Sequence, residues 1–310
     1  MSQHLNQEMP MAFWRPFLAI MTAMILLGLS DNLVVIVSDD IGLWQLHAVR
    51  GIFCILFVLG WMRFHHINPA IQNRKAVVWR TFFITVSMLL FFGALPFVGV
   101  AIAGAGLFTA PIFVLLFGLV LFGEAVGPRR IAAVVLGSIG VVLVLNIGAP
   151  NFTYFAVFSV LAGAFYAATN IITRRYCADE RTLVLLLCYV VAITTAGVVI
   201  ASINSLFFEA ASLSEAQAYL MRGWAPLSLQ NTAVMAFQGF VTVIALALIT
   251  WSYQTVETST IAILEYSYLI FGGFFGWLFW SDQLSLTSFI GIFAIVGAGA
   301  IITLRHKSTA

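Results

Sequence analysis

Charge is what this sequence has least of. Fourteen Lys and Arg with twelve Asp and Glu make up 8% of its 310 residues, against 62% hydrophobic. A soluble fold of this length needs a far larger charged surface, so that class is excluded. The net charge is only +2, and the basic residues are dispersed, which excludes a nucleic-acid groove lined by clustered Lys and Arg. Cysteine is scarce too: Cys54, Cys177 and Cys188 make no CxxC pair, so neither a zinc site nor a disulfide framework is indicated. HExxH, GxSxG, GxxxxGK[ST] and a GxGxxG after a strand are all missing, and with them the signatures of metalloproteases, serine hydrolases and nucleotide-binding enzymes. The neighbours His65 and His66 read as a solvated pair. No cofactor, no metal and no enzymatic activity are expected, and any transport must draw on an ion or solute gradient.

What the sequence does have is long apolar runs. From Thr81 to Gly123 there is no charged side chain, and at about 1.5 Å of helical rise per residue that stretch is roughly twice one bilayer crossing. It has to fold back on itself. Runs of membrane-spanning length bounded by charges, Pro or polar clusters number ten: Phe17 to Val37, Leu43 to Met62, Val77 to Leu95, Val98 to Phe122, Pro128 to Ile147, Tyr154 to Thr173, Leu183 to Phe207, Asn231 to Trp251, Glu257 to Trp280 and Ser285 to Leu304. They are apolar on every side and rich in Gly and Ala, whereas barrel strands alternate in polarity, so the fold class is an all-α integral membrane protein of ten transmembrane helices. The first run ends without a small-residue cleavage site and is expected to remain as the first helix.

Basic residues give the orientation, because cytoplasmic loops retain Lys and Arg. With the N-terminus inside, twelve of the fourteen fall on the cytoplasmic side, Arg80 among them; Arg222 falls outside and Arg50 within a span. Both termini are therefore expected in the cytoplasm of a multi-pass protein of the cell (inner) membrane. A shift of 158 residues lays Val98 on Val256, Phe113 on Phe271, Phe117 on Phe275, Gly118 on Gly276 and Glu124 on Asp282 without a gap. Five helices separate the copies, so the halves are inverted with respect to the membrane, an arrangement of alternating-access carriers whose site lies where the halves meet.

These repeated segments carry a family resemblance. Leu121-Phe-Gly-Glu-Ala-Val-Gly-Pro-Arg-Arg130, followed by Gly137 and Gly140, resembles the acidic turn and Gly-rich next helix of the drug/metabolite transporter superfamily in its ten-helix EamA branch. Gly276-Trp-Leu-Phe-Trp-Ser-Asp282, followed by Gly291 and Gly297, resembles the matching turn of a second half, with Asp282 for the commoner Glu and Ser281 for the preceding Gly. The resemblance implies two EamA-like five-helix repeats, here residues 17–150 and 151–304, between a cytoplasmic segment 1–16 and a tail 305–310. It also implies transport of amino acids, other metabolites, nucleotide-linked or cationic compounds.

Inside a bilayer the ionisable side chains are the informative ones, since each costs about 2.5 to 3.5 kcal/mol at mid-depth unless paired or wet. Three stand out: Asp31, Arg50 and Glu265. Asp31 and Arg50 lie at matching depths in successive spans and read as an outer gate or as an ion pair joining two helices. Glu265 lies midway along the ninth span with no basic residue evident at its depth, which points to a substrate cation or a coupling proton. Tyr268 is one turn on. Asn32, Tyr166, Asn170, Gln238 and Trp251 fall inside spans and complete the candidate lining, with aromatic faces able to hold an organic cation. The expected function is a secondary carrier for an amino-acid-like or cationic nitrogenous metabolite, coupled to a proton or an exchanged solute. Its partners are the lipid bilayer and the solute, with no nucleic acid and the oligomeric state, homo-oligomer included, left open. The alternatives are a carrier of a larger neutral or anionic aromatic metabolite of vitamin or nucleoside type contacting Arg50, and a membrane protein without transport.

Overall fold

The structure, a computed structural model, describes residues 9–123, 127–145, 154–208, 219–281 and 285–303. The two acidic-turn residues Glu124 and Asp282, and the boundary between the two halves at residue 150, lie outside the described residues. Among those described there are twelve α-helices and no strands. They are α1 Met9–Asn32, α2 Val34–Ser38, α3 Leu43–Phe64, α4 Arg74–Leu107, α5 Ala110–Phe122, α6 Pro128–Leu145, α7 Ala156–Tyr176, α8 Thr182–Phe207, α9 Leu229–Thr255, α10 Thr258–Leu264, α11 Ser267–Trp280 and α12 Leu286–Thr303.

Local chemistry sets several of the ends. Asn73 accepts a hydrogen bond from the Ala76 N–H at 3.2 Å, and Ser228 from the Asn231 N–H at 3.0 Å, each capping a first turn. α5 and α11 finish in left-handed residues, Gly123 at φ 62° and Ser281 at φ 57°, which turn the chain sharply at the helix end. Seven helical segments are long and apolar enough to cross a membrane, and Ala110–Phe122, Ile131–Gly140 and Leu286–Ala298 are shorter apolar helices.

One expected boundary is different. Instead of two helices meeting between Leu95 and Val98, helical hydrogen bonding continues through Pro96 to Leu107. The neighbours on α7 nevertheless show that the direction reverses. Going up α4, Phe83 meets Phe165, Ser87 donates to the Ala162 carbonyl and Phe97 stacks on Phe155 at 3.9 Å. Beyond that, Gly106 lies on Ser159, Thr109 on Gly163 and Phe122 on Arg175. The first limb thus runs antiparallel to α7 and the second parallel to it. A second difference is that the expected spans ending at Phe122 and at Trp280 are each broken midway, at Phe108–Thr109 and at Glu265–Tyr266.

Small residues let the helices approach. A Cβ on Gly28 of α1 would stand 2.9 Å from the Gly272 nitrogen of α11, a separation that only glycine permits. The Asn32 amide ties the same junction, donating to the carbonyls of Gly28 at 2.8 Å and Gly272 at 3.1 Å. α6 packs on α12, α3 on α8, α4 on α7 and α1 on α9, so these junctions join helices from the two sequence halves.

Candidate functional site

A cavity of about 110 Å³ opens where α1, α3, α4, α7, α8, α9 and α11 converge, with Phe108 and Glu265 from the two helix breaks in its wall. Its floor is built on the break between α10 and α11, because the interruption frees Glu265 from the regular helical surface. Glu265 is 2% exposed. Tyr166 of α7 donates to its Oε1 and Tyr253 of α9 to its Oε2, each at 2.7 Å. One hydroxyl donor per oxygen suits a carboxylate, which only accepts when ionised. No basic side chain pairs with it among the described residues, so its charge is held by phenol dipoles alone and is open to compensation by a ligand cation.

A second carboxylate faces the same space. Asp31 of α1 lines the cavity, and Tyr268 of α11 donates to its Oδ2 at 2.8 Å. Arg50 acts on Asp31 through space, while its guanidinium meets His47 Nδ1 at 3.3 Å and lies over the Phe92 ring at 5.4 Å. His47 is one turn away on α3, and Phe92 belongs to α4. Both charges still line one cavity.

Of the residues named from sequence, Glu265, Tyr268, Tyr166, Asn170, Asp31 and Arg50 line the cavity. Three do not. Asn32 is used up in the α1–α11 junction, the Gln238 Nε2 donates to the Ser30 carbonyl at 2.9 Å, and Trp251 is exposed on the outer face of α9. Two residues were missed. Tyr253, the second donor to Glu265, gave no signal in sequence beyond being a tyrosine near a helix end. Arg80 did give one, since it falls inside the run from Val77 to Leu95 although it was counted with the cytoplasmic charges.

Arg80 is 5% exposed and lines the cavity. Its Nε donates to Thr173 Oγ1 at 2.8 Å, one terminal nitrogen to the Leu185 carbonyl at 3.1 Å and the other to Thr250 Oγ1 at 3.3 Å. All three acceptors are neutral. Beside it on α7, Asn170 is buried and its amide nitrogen has no hydrogen-bond partner. Among the described residues no group of three or more His, Cys, Asp and Glu is placed to hold a metal ion.

Comparison with known proteins agrees with this architecture. Residues 14–146 match the EamA-like transporter family. Two curated relatives are the pseudopaline exporter CntI of Pseudomonas aeruginosa strain PAO1, 22% identical, and that of strain UCBPP-PA14, 25% identical. Each match spans 224 residues, 71% of this chain and 72% of the relative. A solved crystal structure aligns with 96% of this chain and 99% of its own at a TM-score of 0.67 and 18% identity, a likeness of fold alone. The first part of the chain, residues 14–146, is thus similar to the EamA-like transporters of the drug/metabolite transporter superfamily, and the described residues hold seven helical segments long and apolar enough to cross a membrane.

Proposed function

We propose that this protein is a secondary carrier that moves a small metabolite with a cationic nitrogen, amino-acid-like in character, across the cell membrane by alternating access. The observation that carries this reading is Glu265: a buried carboxylate at a helix break, satisfied only by two phenols and facing the cavity. Broken helices at the meeting of two halves are where carriers place their sites. Export is the direction favoured, on the model of the two exporters to which the chain is similar.

The carrier is read as ten crossings in two inverted five-helix halves with both termini cytoplasmic. Supporting this, the seven long apolar segments and three shorter ones make ten. The 158-residue shift also carries α6 onto α12 end for end, Gly123 onto Ser281 and the break at Phe108–Thr109 onto Tyr266–Ser267, beside Glu265. Thiols introduced at Ser214 and Ser308 should then react with an impermeant reagent from opposite sides of the membrane; equal reaction on intact cells would contradict this topology.

Counterflow in liposomes tests the function. Wild-type protein should exchange a labelled amine-bearing solute, and Glu265→Gln, which keeps shape and removes charge, should lose that solute while staying folded. Loss only of the dependence on a pH gradient would instead assign Glu265 to a coupling proton. A Gln variant that binds and transports like wild type at every pH would make Glu265 structural. A second reading, a carrier for an anionic metabolite, is favoured by one observation, the two guanidinium groups of Arg50 and Arg80 in the same cavity.

A further inference from the structure

Two buried groups of opposite charge face the cavity, and neither is paired with the other. α7 connects them: Tyr166 holds Glu265, Asn170 follows one turn later, and Thr173 holds Arg80. Residues three and four apart lie on one helical face, so this ladder runs straight from the carboxylate to the guanidinium. The seven helical steps from Tyr166 to Thr173 correspond to about 10 Å along the axis.

Arg80 is not saturated. A guanidinium carries five N–H groups, and three of them are taken by Thr173, Leu185 and Thr250, which leaves one on each terminal nitrogen. Those two remain as donors for an incoming carboxylate. Thr173 is itself anchored through a hydrogen bond to the Thr169 carbonyl at 2.8 Å, so the guanidinium is held in a set orientation. Asn170, one turn from Thr173 on the same cavity wall, has a buried amide nitrogen that a change of rotamer would turn to the ligand as a further donor.

We infer that Arg80 and Asn170 form a carboxylate subsite, and that with Glu265 they select an elongated zwitterion whose amine and carboxylate stand several bonds apart. This rests on the reading of Glu265 as the amine contact. The positions that anchor the two ends are about 10 Å apart along α7, so a ligand that touches both must carry its charged groups several bonds apart. A simple α-amino acid, whose charged groups share one carbon, does not reach both ends.

The test uses the purified full chain and a series of probes: glycine, 4-aminobutanoate and 6-aminohexanoate, with butylamine and butanoate as one-ended controls, each titrated calorimetrically. Wild type should bind at least one of the two longer amino acids at least tenfold more tightly than glycine or either control. Arg80→Gln should lose that advantage tenfold or more while keeping butylamine, and Glu265→Gln should lose it while keeping butanoate. Asn170→Asp covers the case in which Arg80→Gln does not fold, since it sets a carboxylate beside the guanidinium and should displace the ligand's own, again by tenfold or more. No preference for the longer probes in wild type, or unchanged binding in Arg80→Gln or Asn170→Asp, overturns the inference. If only Glu265→Gln is without effect, the amine contact is wrong and the carboxylate subsite stands.

Discussion

The two helix breaks make the same turn with different residues. In the first half α4 gives way to α5 through Leu107, Phe108 and Thr109; in the second, α10 gives way to α11 through Glu265, Tyr266 and Ser267. Each broken pair ends in a left-handed residue whose N–H returns to the carbonyls five and four residues back, Gly118 and Leu119 or Gly276 and Trp277. Each is also approached closely by a helix of the other half, α7 at Gly163 and α1 at Gly28. Only the second break carries a charge. Phe108 answers it from the first by lining the cavity and packing its ring 5.3 Å from that of Tyr268. Both breaks border the cavity, and the difference between their side chains makes it chemically one-sided.

The largest effect should come from exchanging the charges. Glu265→Leu removes the carboxylate and leaves two buried phenol hydroxyls without an acceptor, each costing about 1 to 3 kcal/mol, so cargo binding should vanish and the melting temperature in detergent should fall. Adding Leu107→Glu should not restore binding, because the donors Tyr166 and Tyr253 converge on Glu265. Restored exchange in the double variant would show that the two breaks are interchangeable.

Next in size is the removal of one phenol at a time. Tyr166→Phe and Tyr253→Phe each delete one bond to the carboxylate, worth about 1.5 to 3 kcal/mol for a charged acceptor. Because the second deletion leaves the charge with neither donor, the double variant should lose more stability than the sum of the singles. Strict additivity in thermal denaturation would mean that water replaces the hydroxyls.

The close approaches should be equivalent in the two halves. A Cβ on Gly28 meets the Gly272 nitrogen at 2.9 Å, and one on Gly163 meets the Gly106 and Leu107 carbonyls at 2.8 and 2.9 Å. Gly28→Val and Gly163→Val should each cost about 1 to 3 kcal/mol through overpacking. A large difference between them, measured by thermal denaturation, would break the comparison.

The smallest effect, and the sharpest, concerns the caps. Ser281 holds a left-handed φ of 57° that Gly123 holds at 62°. Ser281→Gly should therefore stabilise by up to about 1 kcal/mol, and Gly123→Ser should destabilise by a similar amount, since only glycine adopts that conformation without steric cost. Opposite signs in the two melting temperatures are the expected result.

The sequence by itself determined the helical class, the approximate limits of most helices and the burial of Glu265 inside a span, because long apolar runs and an isolated charge within one leave few physical options. Repeat spacing likewise placed the shared caps, which depend on local backbone alone. Only the tertiary structure decided the partners. Arg50 meets His47 and Phe92, and Arg80 leaves the expected set of surface charges to line the cavity. Asn32 and Gln238 serve helix junctions, and Tyr253 meets a carboxylate twelve residues along. Hydropathy reports how deep a residue lies, whereas the face it presents and the neighbour it meets depend on how helices from both halves rotate against one another, a matter settled by packing at Gly28, Gly163 and their counterparts.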